Sequence, residues 1–247
     1  MRIALLSDIH SNLEALQACL AHARRQGAER FGFLGDLVGY GADPCACLDL
    51  VIDLVDRGAA AVMGNHDEAA LGGLCAEMNI PARDAIYWTR RQLAERHREF
   101  LARLPLTASV DGTLLVHASA DAPAAWTYVS NEERAQRSLQ ATEARLTCAG
   151  HVHAQHLYYT SPSGGVREHP PEPGVPIPLT RQRRWLALVG SVGQPRDGNP
   201  AACYALLDGA ADQIVFHRVP YDHFAAARKV IAAGLPERLA LRLAQGH

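Results

Sequence analysis

Five short segments of the sequence concentrate carboxylate, imidazole and amide side chains. In chain order they are Asp8-Ile9-His10, Gly35-Asp36, Gly64-Asn65-His66-Asp67, His117 and Gly150-His151-Val152-His153. Each segment directly follows a short apolar run of the kind that forms a buried strand. In an open α/β sheet, ligands gather outside the carboxyl ends of the strands, so the five segments are expected to meet at one rim. A single Asp or His at a strand end is more often a turn residue, but five on one edge indicate a site.

Seven residues of these segments have side chains that commonly bind metal ions. They are Asp8, His10, Asp36, Asn65, His117, His151 and His153. One zinc ion takes about four ligands, so seven suit two ions that share a carboxylate and lie about 3.5–4 Å apart. Oxygen and imidazole donors without a thiolate favour Mn²⁺, Fe, Co²⁺, Ni²⁺ or Zn²⁺ over Ca²⁺. We therefore predict two divalent transition-metal ions as cofactors, with manganese as the first candidate.

The charge of such a centre indicates the kind of substrate. Two divalent ions carry four positive charges, the carboxylates of Asp8 and Asp36 remove two, and a bridging hydroxide removes one. About one net positive charge remains, which suits an anionic group such as a phosphate. Because bound cations lower the pKa of water towards about 7, the bridging hydroxide would be the nucleophile near neutral pH.

The spacing of apolar residues predicts the elements that must position these segments. Strands are expected at residues 3–6, 31–34, 60–63, 113–116 and 146–149. Helices are expected from Ser11 to Gly27, from Asp43 to Gly58, and at residues 80–104 and 131–140. Further strands are expected at residues 156–159, 165–169, 185–189, 203–207 and 214–219, before two closing helices at 222–233 and 237–244. Continuous apolar strands that alternate with amphipathic helices indicate a parallel sheet covered on both faces.

Capping residues mark the starts of the first two helices. Ser11, followed three residues later by Glu14, is predicted to be an N-cap within a capping box. Asp43 precedes Pro44, which suits the first position of a helix, so a capping role explains this acidic residue adequately. The proline-rich stretch at residues 170–176 is expected to be an exposed loop.

Read in order, the five segments resemble the calcineurin-like metallophosphoesterase superfamily. The pattern of that family is D-x-H, GD, GNH[DE], H and GHxH, and the resemblance spans about residues 1–200. It implies an α/β fold, namely a four-layer α/β/β/α sandwich with two mixed sheets. It also implies one metallophosphoesterase domain over residues 1–247, with the C-terminal helices at about 222–244 packed on it.

The resemblance implies a role for each residue of the segments. One metal ion would be held by Asp8, His10 and His153. The other would be held by Asn65, His117 and His151, with Asp36 bridging the two. His66 would act on the substrate by protonating the leaving oxygen, and Asn65 would also stabilise the phosphate. Asp67 would orient the His66 ring or, alternatively, cap the following segment.

Two further observations indicate which branch of the family the sequence resembles. Ser/Thr protein phosphatases of the superfamily carry GDxVDRG and RGNHE, whereas here the arginines are absent from residues 35–41 and 63–67. This favours the small prokaryotic phosphodiesterase-like branch, whose GSVGxPR block resembles residues 190–196. Arg196 in that block would bind substrate phosphate or pair with a carboxylate. Tyr40 would stack on a nucleobase, cover the pocket, or simply pack.

These observations predict a dimetal-dependent phosphodiesterase that acts on a small substrate. A nucleotide-type diester or a dinucleoside polyphosphate is the expected substrate class. One alternative is a phosphomonoesterase or protein phosphatase on the same scaffold. Another is a non-catalytic scaffold subunit, against which the complete ligand set and His66 argue.

Composition excludes several other classes of protein. The chain has 247 residues, a net charge of −2 and a pI of about 6.6, so no basic field attracts long nucleic acid or an anionic membrane. No apolar run approaches the roughly 20 residues that span a bilayer. The apolar run at the N-terminus is too short for a secretory signal, and the six cysteines form no CxxC pair. A cytoplasmic location with reduced thiols is therefore expected.

Two surface features leave alternatives open. The short cluster Arg181, Arg183 and Arg184 is either a solvated surface or a phosphate-steering patch. Exposed strands in the second half of the chain are expected to allow a homodimer through pairing across a two-fold axis.

Overall fold

The computed structural model describes residues 1–73, 75, 78–162 and 164–247. The strands are β1 (Arg2–Leu6), β2 (Arg30–Phe33), β3 (Ala60–Ala61), β4 (Thr107–Val110), β5 (Thr113–Val116), β6 (Leu146–Ala149), β7 (Gln155–Thr160), β8 (Val166–His169), β9 (Pro176–Pro178), β10 (Trp185–Val189), β11 (Ala202–Asp208) and β12 (Gln213–Val219). The α-helices are α1 (Leu13–Arg25), α2 (Pro44–Asp56), α3 (Asn65–Ala70), α4 (Ile80–Gln92), α5 (Glu95–Ala102), α6 (Glu132–Gln140), α7 (His223–Ala232) and α8 (Glu237–Gln245).

The strands form two six-stranded mixed sheets. The first sheet has the order β3-β2-β1-β11-β12-β9, in which β1, β2 and β3 run parallel and β11 pairs antiparallel with β1. The second has the order β4-β5-β6-β10-β7-β8, in which β5, β6 and β10 run parallel. Parallel strands end on the same edge of a sheet, so the loops after β1, β2, β5 and β6 are brought towards one side of the molecule.

The two sheets pack face to face, and helices cover their outer faces. Ile3 and Leu5 of β1 meet Leu115 of β5 and Ala187 of β10 in the apolar layer between the sheets. On the outer face of the first sheet, α1 and α2 bury apolar side chains, and α6 does the same on the second sheet. This arrangement is the α/β/β/α sandwich that the sequence predicts.

Several predicted strands and helices have different bounds in the structure. The predicted strands at 113–116, 146–149 and 185–189 are confirmed without a shift. The predicted strand at 60–63 ends at Ala61, because the Met63 amide turns away to donate to the Pro105 carbonyl. The single helix predicted at 80–104 is wrong, since extended backbone at Leu93 and Ala94 divides it into α4 and α5.

Two edge strands were not predicted. Strand β4 has a mostly exposed side-chain pattern, so it carries little apolar signal. Strand β9 begins at the end of the proline-rich stretch and pairs with β12, where Ile177 lies opposite Ile214. Because proline lacks an amide proton, a three-residue edge strand is the kind of strand that such a sequence can form.

The first helix begins one residue later than predicted. Ser11 has a left-handed φ of 55°, whereas an N-cap residue needs extended backbone. Asn12 is the N-cap instead, and its side chain accepts a hydrogen bond from the Ala15 amide at 3.1 Å. Glu14 forms an ion pair with Lys229 of α7, so the predicted capping box is wrong. Asp43 occupies the predicted N-cap position, but its carboxylate pairs with Lys229 rather than with the helix amides.

The two closing helices are confirmed and lie next to the loop that follows β2. Residues Ala226 and Val230 of α7 and Leu239 and Leu243 of α8 form one apolar cluster that includes Tyr40. Helix α7 also contacts α1. None of the helices formed by the described residues has the length and apolar character required to traverse a bilayer.

Candidate metal centre

The seven predicted metal ligands lie close together at one edge of the two sheets. Four buried residues, Asp8, His10, Asp36 and His153, place ligand atoms within 4.8 Å of one another. A second group at the same spacing contains Asp36, His117 and His151. The seventh residue, Asn65, joins the second group, because its Oδ1 lies 3.1 Å from Nε2 of His117. Asp36 is therefore shared by two adjacent clusters.

Unusual backbone conformations turn these side chains inwards. Left-handed φ values, between 47° and 66°, occur at Asp8, His10, Asp36, His151 and His153. Residues other than glycine seldom adopt this region, and it costs about 1–3 kcal/mol at each position. Such strain persists only where surrounding structure enforces it, and here it is concentrated in the loops that supply the clusters.

Hydrogen bonds to backbone carbonyls define the tautomers of three imidazoles. Nδ1 of His117 lies 2.7 Å from the Leu34 carbonyl, and Nδ1 of His153 lies 2.6 Å from the Gln194 carbonyl. Nδ1 of His10 contacts the Val38 carbonyl at 3.2 Å. A carbonyl only accepts, so each Nδ1 donates its proton, and each Nε2 is the ring atom that faces the centre of the site.

The other ring nitrogens of these imidazoles face one another across short distances. Nε2 of His10 lies 3.1 Å from Nε2 of His153, and Nε2 of His117 lies 3.1 Å from Nδ1 of His151. The Asp36 Oδ2 atom is 3.7 Å from Nε2 of His10 and 3.4 Å from Nε2 of His117. Metal-binding histidines show this pattern, with one nitrogen bound to a carbonyl and the other free for the cation. The donor set therefore fits two cations that share Asp36.

Burial and local charge keep the carboxylates ionised and most of the imidazoles neutral. Burial opposes ionisation of Asp36, but His117 and His66 hold its pKa well below its usual range. Burial lowers the pKa of His10, and burial with the nearby His117 lowers that of His151 to about 3. Burial also disfavours the charged form of His117, but the charge of Asp36 outweighs it and raises the pKa to about 9. Two anionic oxygens and several bare nitrogens therefore face each other, as a cation site requires.

The segment at residues 190–196 supports the loop that carries Asp8. The Ser191 hydroxyl donates to the Asp8 carbonyl at 2.8 Å, and the Gly193 amide donates to the same oxygen at 2.9 Å. The Gln194 carbonyl orients His153, as described above. In the sequence this segment indicated the branch of the family and Arg196 as a candidate phosphate ligand, whereas in the structure its backbone also holds two of the metal-binding candidates.

His66 lies beside the clusters rather than within them. Its ring centroid is 4.8 Å from that of His10 and 4.5 Å from that of Tyr40, and its Nδ1 has no hydrogen-bond partner among the described residues. Burial lowers its pKa to about 4. Gly39 leaves room for the ring, because a Cβ atom there would lie 2.5 Å from Nδ1 of His66.

The prediction that Asp67 orients the His66 ring is wrong. The Asp67 carboxylate instead accepts hydrogen bonds from the backbone amides of Leu37, Val38 and Gly64, at 2.9, 3.2 and 3.0 Å. It therefore joins the loop after β2 to the start of α3, which is the capping role that sequence analysis left open. Burial and the charge of Asp36 raise its pKa to about 7.

An open cleft of about 230 Å³ leads to the candidate centre. Asn65, His66, His151 and Tyr40 are among the residues that line it. Trp126 and Tyr128, which were not predicted from the sequence, also line it. The Tyr128 ring stacks on His151 with centroids 3.9 Å apart, and the Trp126 indole donates to Glu68 at 3.1 Å. These two aromatic residues lie in an irregular segment between β5 and α6, where no periodic pattern marks them.

Arg196 lies at the edge of the site, and the other predicted arginine cluster does not. The Arg196 guanidinium donates to the Gln194 side chain at 2.9 Å and to the Tyr40 hydroxyl at 3.4 Å. Arg181 pairs with Asp212, Arg183 lies over the Tyr159 ring, and Arg184 donates to backbone carbonyls. The cluster at 181–184 thus has partners within its own part of the fold.

Comparison with known proteins identifies the family. The family model for the calcineurin-like phosphoesterase superfamily domain matches residues 1–212. The chain belongs to the calcineurin-like phosphoesterase superfamily. The prediction made from the five segments is confirmed, and so is the prediction that the protein is a phosphoric ester hydrolase.

Relatives of this phosphoesterase match it over nearly the whole chain. An uncharacterised protein of Methanocaldococcus jannaschii is 35% identical over 250 residues, which cover 99% of this chain and 98% of the relative. A metallophosphoesterase from Sphaerobacter thermophilus is 38% identical, with a TM-score of 0.89 over 100% of this chain and 99% of the other. A hypothetical protein from Pyrococcus horikoshii OT3 shares the fold, with a TM-score of 0.80, 18% identity and coverage of 100% and 98%.

Proposed function

We propose that this phosphoesterase hydrolyses phosphodiester bonds in small nucleotide-type substrates with the help of two divalent transition-metal ions, of which manganese is the first candidate. The observation that carries the proposal is the shared position of Asp36 between two clusters of lone-pair donors. Nε2 of His10 and Nε2 of His153 point lone pairs at each other across 3.1 Å, which is repulsive, and a cation between them would turn that repulsion into ligation.

Each cluster would hold one ion. The first would take Asp8, His10 and His153, the second would take Asn65, His117 and His151, and Asp36 would contact both. When bound, the two ions would supply an activated water molecule near neutral pH and neutralise charge on the phosphate oxygens. The strained loops and the carbonyl-bound imidazoles hold the ligand atoms in place beforehand, which limits the reorganisation that binding requires.

His66 would supply a proton to the leaving oxygen of the substrate. It lines the cleft beside Asn65, and no residue in the described part of the chain forms a hydrogen bond with its Nδ1, so this ring atom is available to a substrate. Burial lowers its pKa to about 4 in the free protein, and the negative charge of a bound phosphate would raise that value. Asp67 would act indirectly, because its three backbone hydrogen bonds fix the start of α3, on which Asn65 and His66 lie.

Asn65 and Arg196 would bind oxygens of the phosphate. The amide of Asn65 reaches both the second cluster and the cleft, so it would also orient the substrate. Arg196 is positioned by Gln194 and by the Tyr40 hydroxyl, and Tyr40 would form the wall against which the organic group packs.

The distribution of cations in the cleft favours a diester over a monoester. Among the described residues, no lysine or arginine lines the cleft itself, and Arg196 stands at its edge. A monoester phosphate carries about one more negative charge than a diester, and additional cations would be needed to balance it.

Activity of metal-stripped protein tests this proposal. Each divalent ion is added back in turn, and hydrolysis of bis(4-nitrophenyl) phosphate is compared with that of 4-nitrophenyl phosphate. We expect activity to depend on added metal, with manganese among the best, and kcat/KM to favour the diester by about tenfold or more. A preference for the monoester would support the phosphatase alternative. A protein that is inert towards every ester with every ion would support the scaffold alternative.

A further inference from the structure

A second, smaller cavity lies beside the cleft that leads to the candidate metal centre. It has a volume of about 120 Å³ and is lined by Asn79, Pro81, Arg238, Leu239 and Arg242. Asn79 also lines the cleft, so the two cavities share this residue. The smaller cavity is therefore adjacent to the space that leads to the candidate metal centre.

Two arginines of this cavity have no partner in the described part of the chain. Arg238 and Arg242 lie four residues apart on α8, which places them on the same face of the helix. Neither guanidinium forms a hydrogen bond or an ion pair with a described residue. Arg96 and Arg145, by contrast, each form an ion pair with an aspartate, which fixes the position of the guanidinium.

Positive charge accumulates around this cavity from several elements. Arg242 is close enough to Arg196 for the two charges to repel, and this repulsion, after burial, lowers the pKa of Arg242. Asn79 is the N-cap of the 13-residue helix α4, so the positive end of the helix dipole faces the same space. No carboxylate is among the described residues that line the cavity.

An anion would remove this imbalance of charge. A guanidinium presents two parallel N–H groups that match two oxygens of a phosphate, and two arginines on one helix face present two such pairs. A carboxylate has a single pair of oxygens and one charge, so it would satisfy this arrangement less completely.

We infer that Arg238 and Arg242 form a subsite for a second phosphate group of the substrate, distinct from the phosphate that is cleaved. The inference rests on the proposed function, and it narrows the substrate class. The preferred substrates are phosphodiesters that carry a further phosphate on the organic group, and a cyclic mononucleotide, which has only one phosphate, does not use the subsite.

A matched pair of chromogenic diesters tests the subsite. Thymidine 3′-phosphate 5′-(4-nitrophenyl phosphate) and thymidine 5′-(4-nitrophenyl phosphate) differ only in the additional 3′-phosphate. The wild-type protein is expected to show a KM about tenfold lower for the first compound. The double variant Arg238→Gln/Arg242→Gln removes this difference, with little change in kcat or in the KM of the second compound.

The variant Arg228→Gln is the control for general loss of charge. Arg228 is an exposed arginine on the neighbouring helix α7, outside the lining of both cavities. It is expected to keep the wild-type ratio of the two KM values. Equal KM values for the two diesters in the wild-type protein, or an equal effect of the double variant on both, would overturn the inference.

Calorimetry keeps the subsite testable if neither diester is hydrolysed. Binding of thymidine 3′,5′-bisphosphate is compared with binding of thymidine 5′-phosphate in the wild-type protein and in both variants. Tighter binding of the bisphosphate that depends on Arg238 and Arg242 supports the subsite even where the proposed function fails. If inorganic phosphate binds through these arginines and the two thymidine compounds bind equally, the occupant is free phosphate and the inference is wrong.

Discussion

Nε2 of His10 lies 3.1 Å from Nε2 of His153, and both rings donate their Nδ1 protons to backbone carbonyls. Two lone pairs that face each other at this distance are stable only when a cation or a shared proton lies between them. Asp8 and Asp36 approach the same point, with Asp8 Oδ1 at 3.3 Å from Nε2 of His153. Two imidazoles and two carboxylates around one point are a donor set that suits a divalent ion better than a proton.

The position of Asp36 in both clusters leads to the first prediction. Replacement by asparagine in Asp36→Asn removes the anionic oxygen that both clusters share, so occupancy of both ions should fall together, by about tenfold or more at limiting manganese. Elemental analysis after dialysis measures this occupancy. Asp49→Asn, which alters a carboxylate paired with Arg96 away from the site, should bind metal like the wild-type protein. Full retention of one ion in Asp36→Asn would contradict the bridging role.

Removal of the His66 ring should slow hydrolysis of the substrate without reducing the amount of bound metal. The variant His66→Ala is expected to keep both ions and to lose about 10²–10⁴ in kcat, since the proton donor is absent while the ligands remain. Steady-state kinetics and metal analysis of the same sample separate the two effects. His156→Ala, which alters a histidine paired with Glu168, is the matched control and should have a normal kcat. Wild-type kcat in His66→Ala would remove this residue from the mechanism.

The close contact between Gly39 and His66 predicts the effect of a single methyl group. In Gly39→Ala the added Cβ would lie 2.5 Å from Nδ1 of His66, so the ring must move and kcat should fall by about tenfold. Gly58→Ala is a suitable control, because Gly58 has a similar φ of 96° and no atom within 4 Å of the added carbon. Both variants should lose about 1 kcal/mol of stability through backbone strain. Equal kcat values in the two variants would exclude a role for the contact.

Arg196 offers a test of substrate binding that is separate from metal binding. The variant Arg196→Gln should lose the charged hydrogen bonds that Arg196 would make to the phosphate. Its KM for bis(4-nitrophenyl) phosphate should therefore rise by about tenfold, with a smaller change in kcat. The metal content should stay at the wild-type level, because the guanidinium contacts Gln194 and Tyr40 rather than the clusters. An unchanged KM would show that Arg196 serves only to position these two side chains.

A histidine outside the site should make stability depend on pH. His217 stacks on Tyr204 with centroids 4.8 Å apart, and burial, with the nearby His22, lowers its pKa to about 4. The unfolded chain, with an ordinary histidine pKa of about 6.5, therefore binds a proton that the folded chain rejects. The contribution of His217 to the free energy of unfolding is therefore fully present above about pH 6.5 and is lost as the pH falls towards 4.

Urea unfolding at several pH values, in the presence of a chelator, measures this effect. His217→Phe keeps an aromatic ring against Tyr204 and cannot bind a proton, so its stability should fall less steeply between pH 6.5 and 4 than that of the wild-type protein. Parallel profiles for the two proteins would show that His217 does not contribute to the pH dependence.

The residues of the candidate site were predictable from the sequence because they lie in short segments directly after predicted strands. Asp8, Asp36 and His117 each follow a strand whose apolar run is visible in the sequence, and parallel strands bring such positions together. The family pattern then implied which of the two metal ions each of these residues would bind. The pairing of the strands into two mixed sheets followed from the same resemblance.

Other features depend on backbone conformations and on contacts between distant parts of the chain. The left-handed φ of Ser11 moves the start of α1 to Asn12, and nothing in the local residue types distinguishes the two caps. Asp67 turns to amides 30 residues away in the chain, so its neighbour His66 is not its partner. Trp126 and Tyr128 reach the cleft from an irregular segment whose path no periodicity reveals.

Anomalous diffraction from crystals grown with manganese measures the central claim most directly. We expect two peaks for each chain, about 3.5–4 Å apart, with Asp36 between them and the imidazoles of His10 and His153 on the first ion. A single peak, or none, with these two rings turned away from each other would contradict the dinuclear centre and the mechanism built on it.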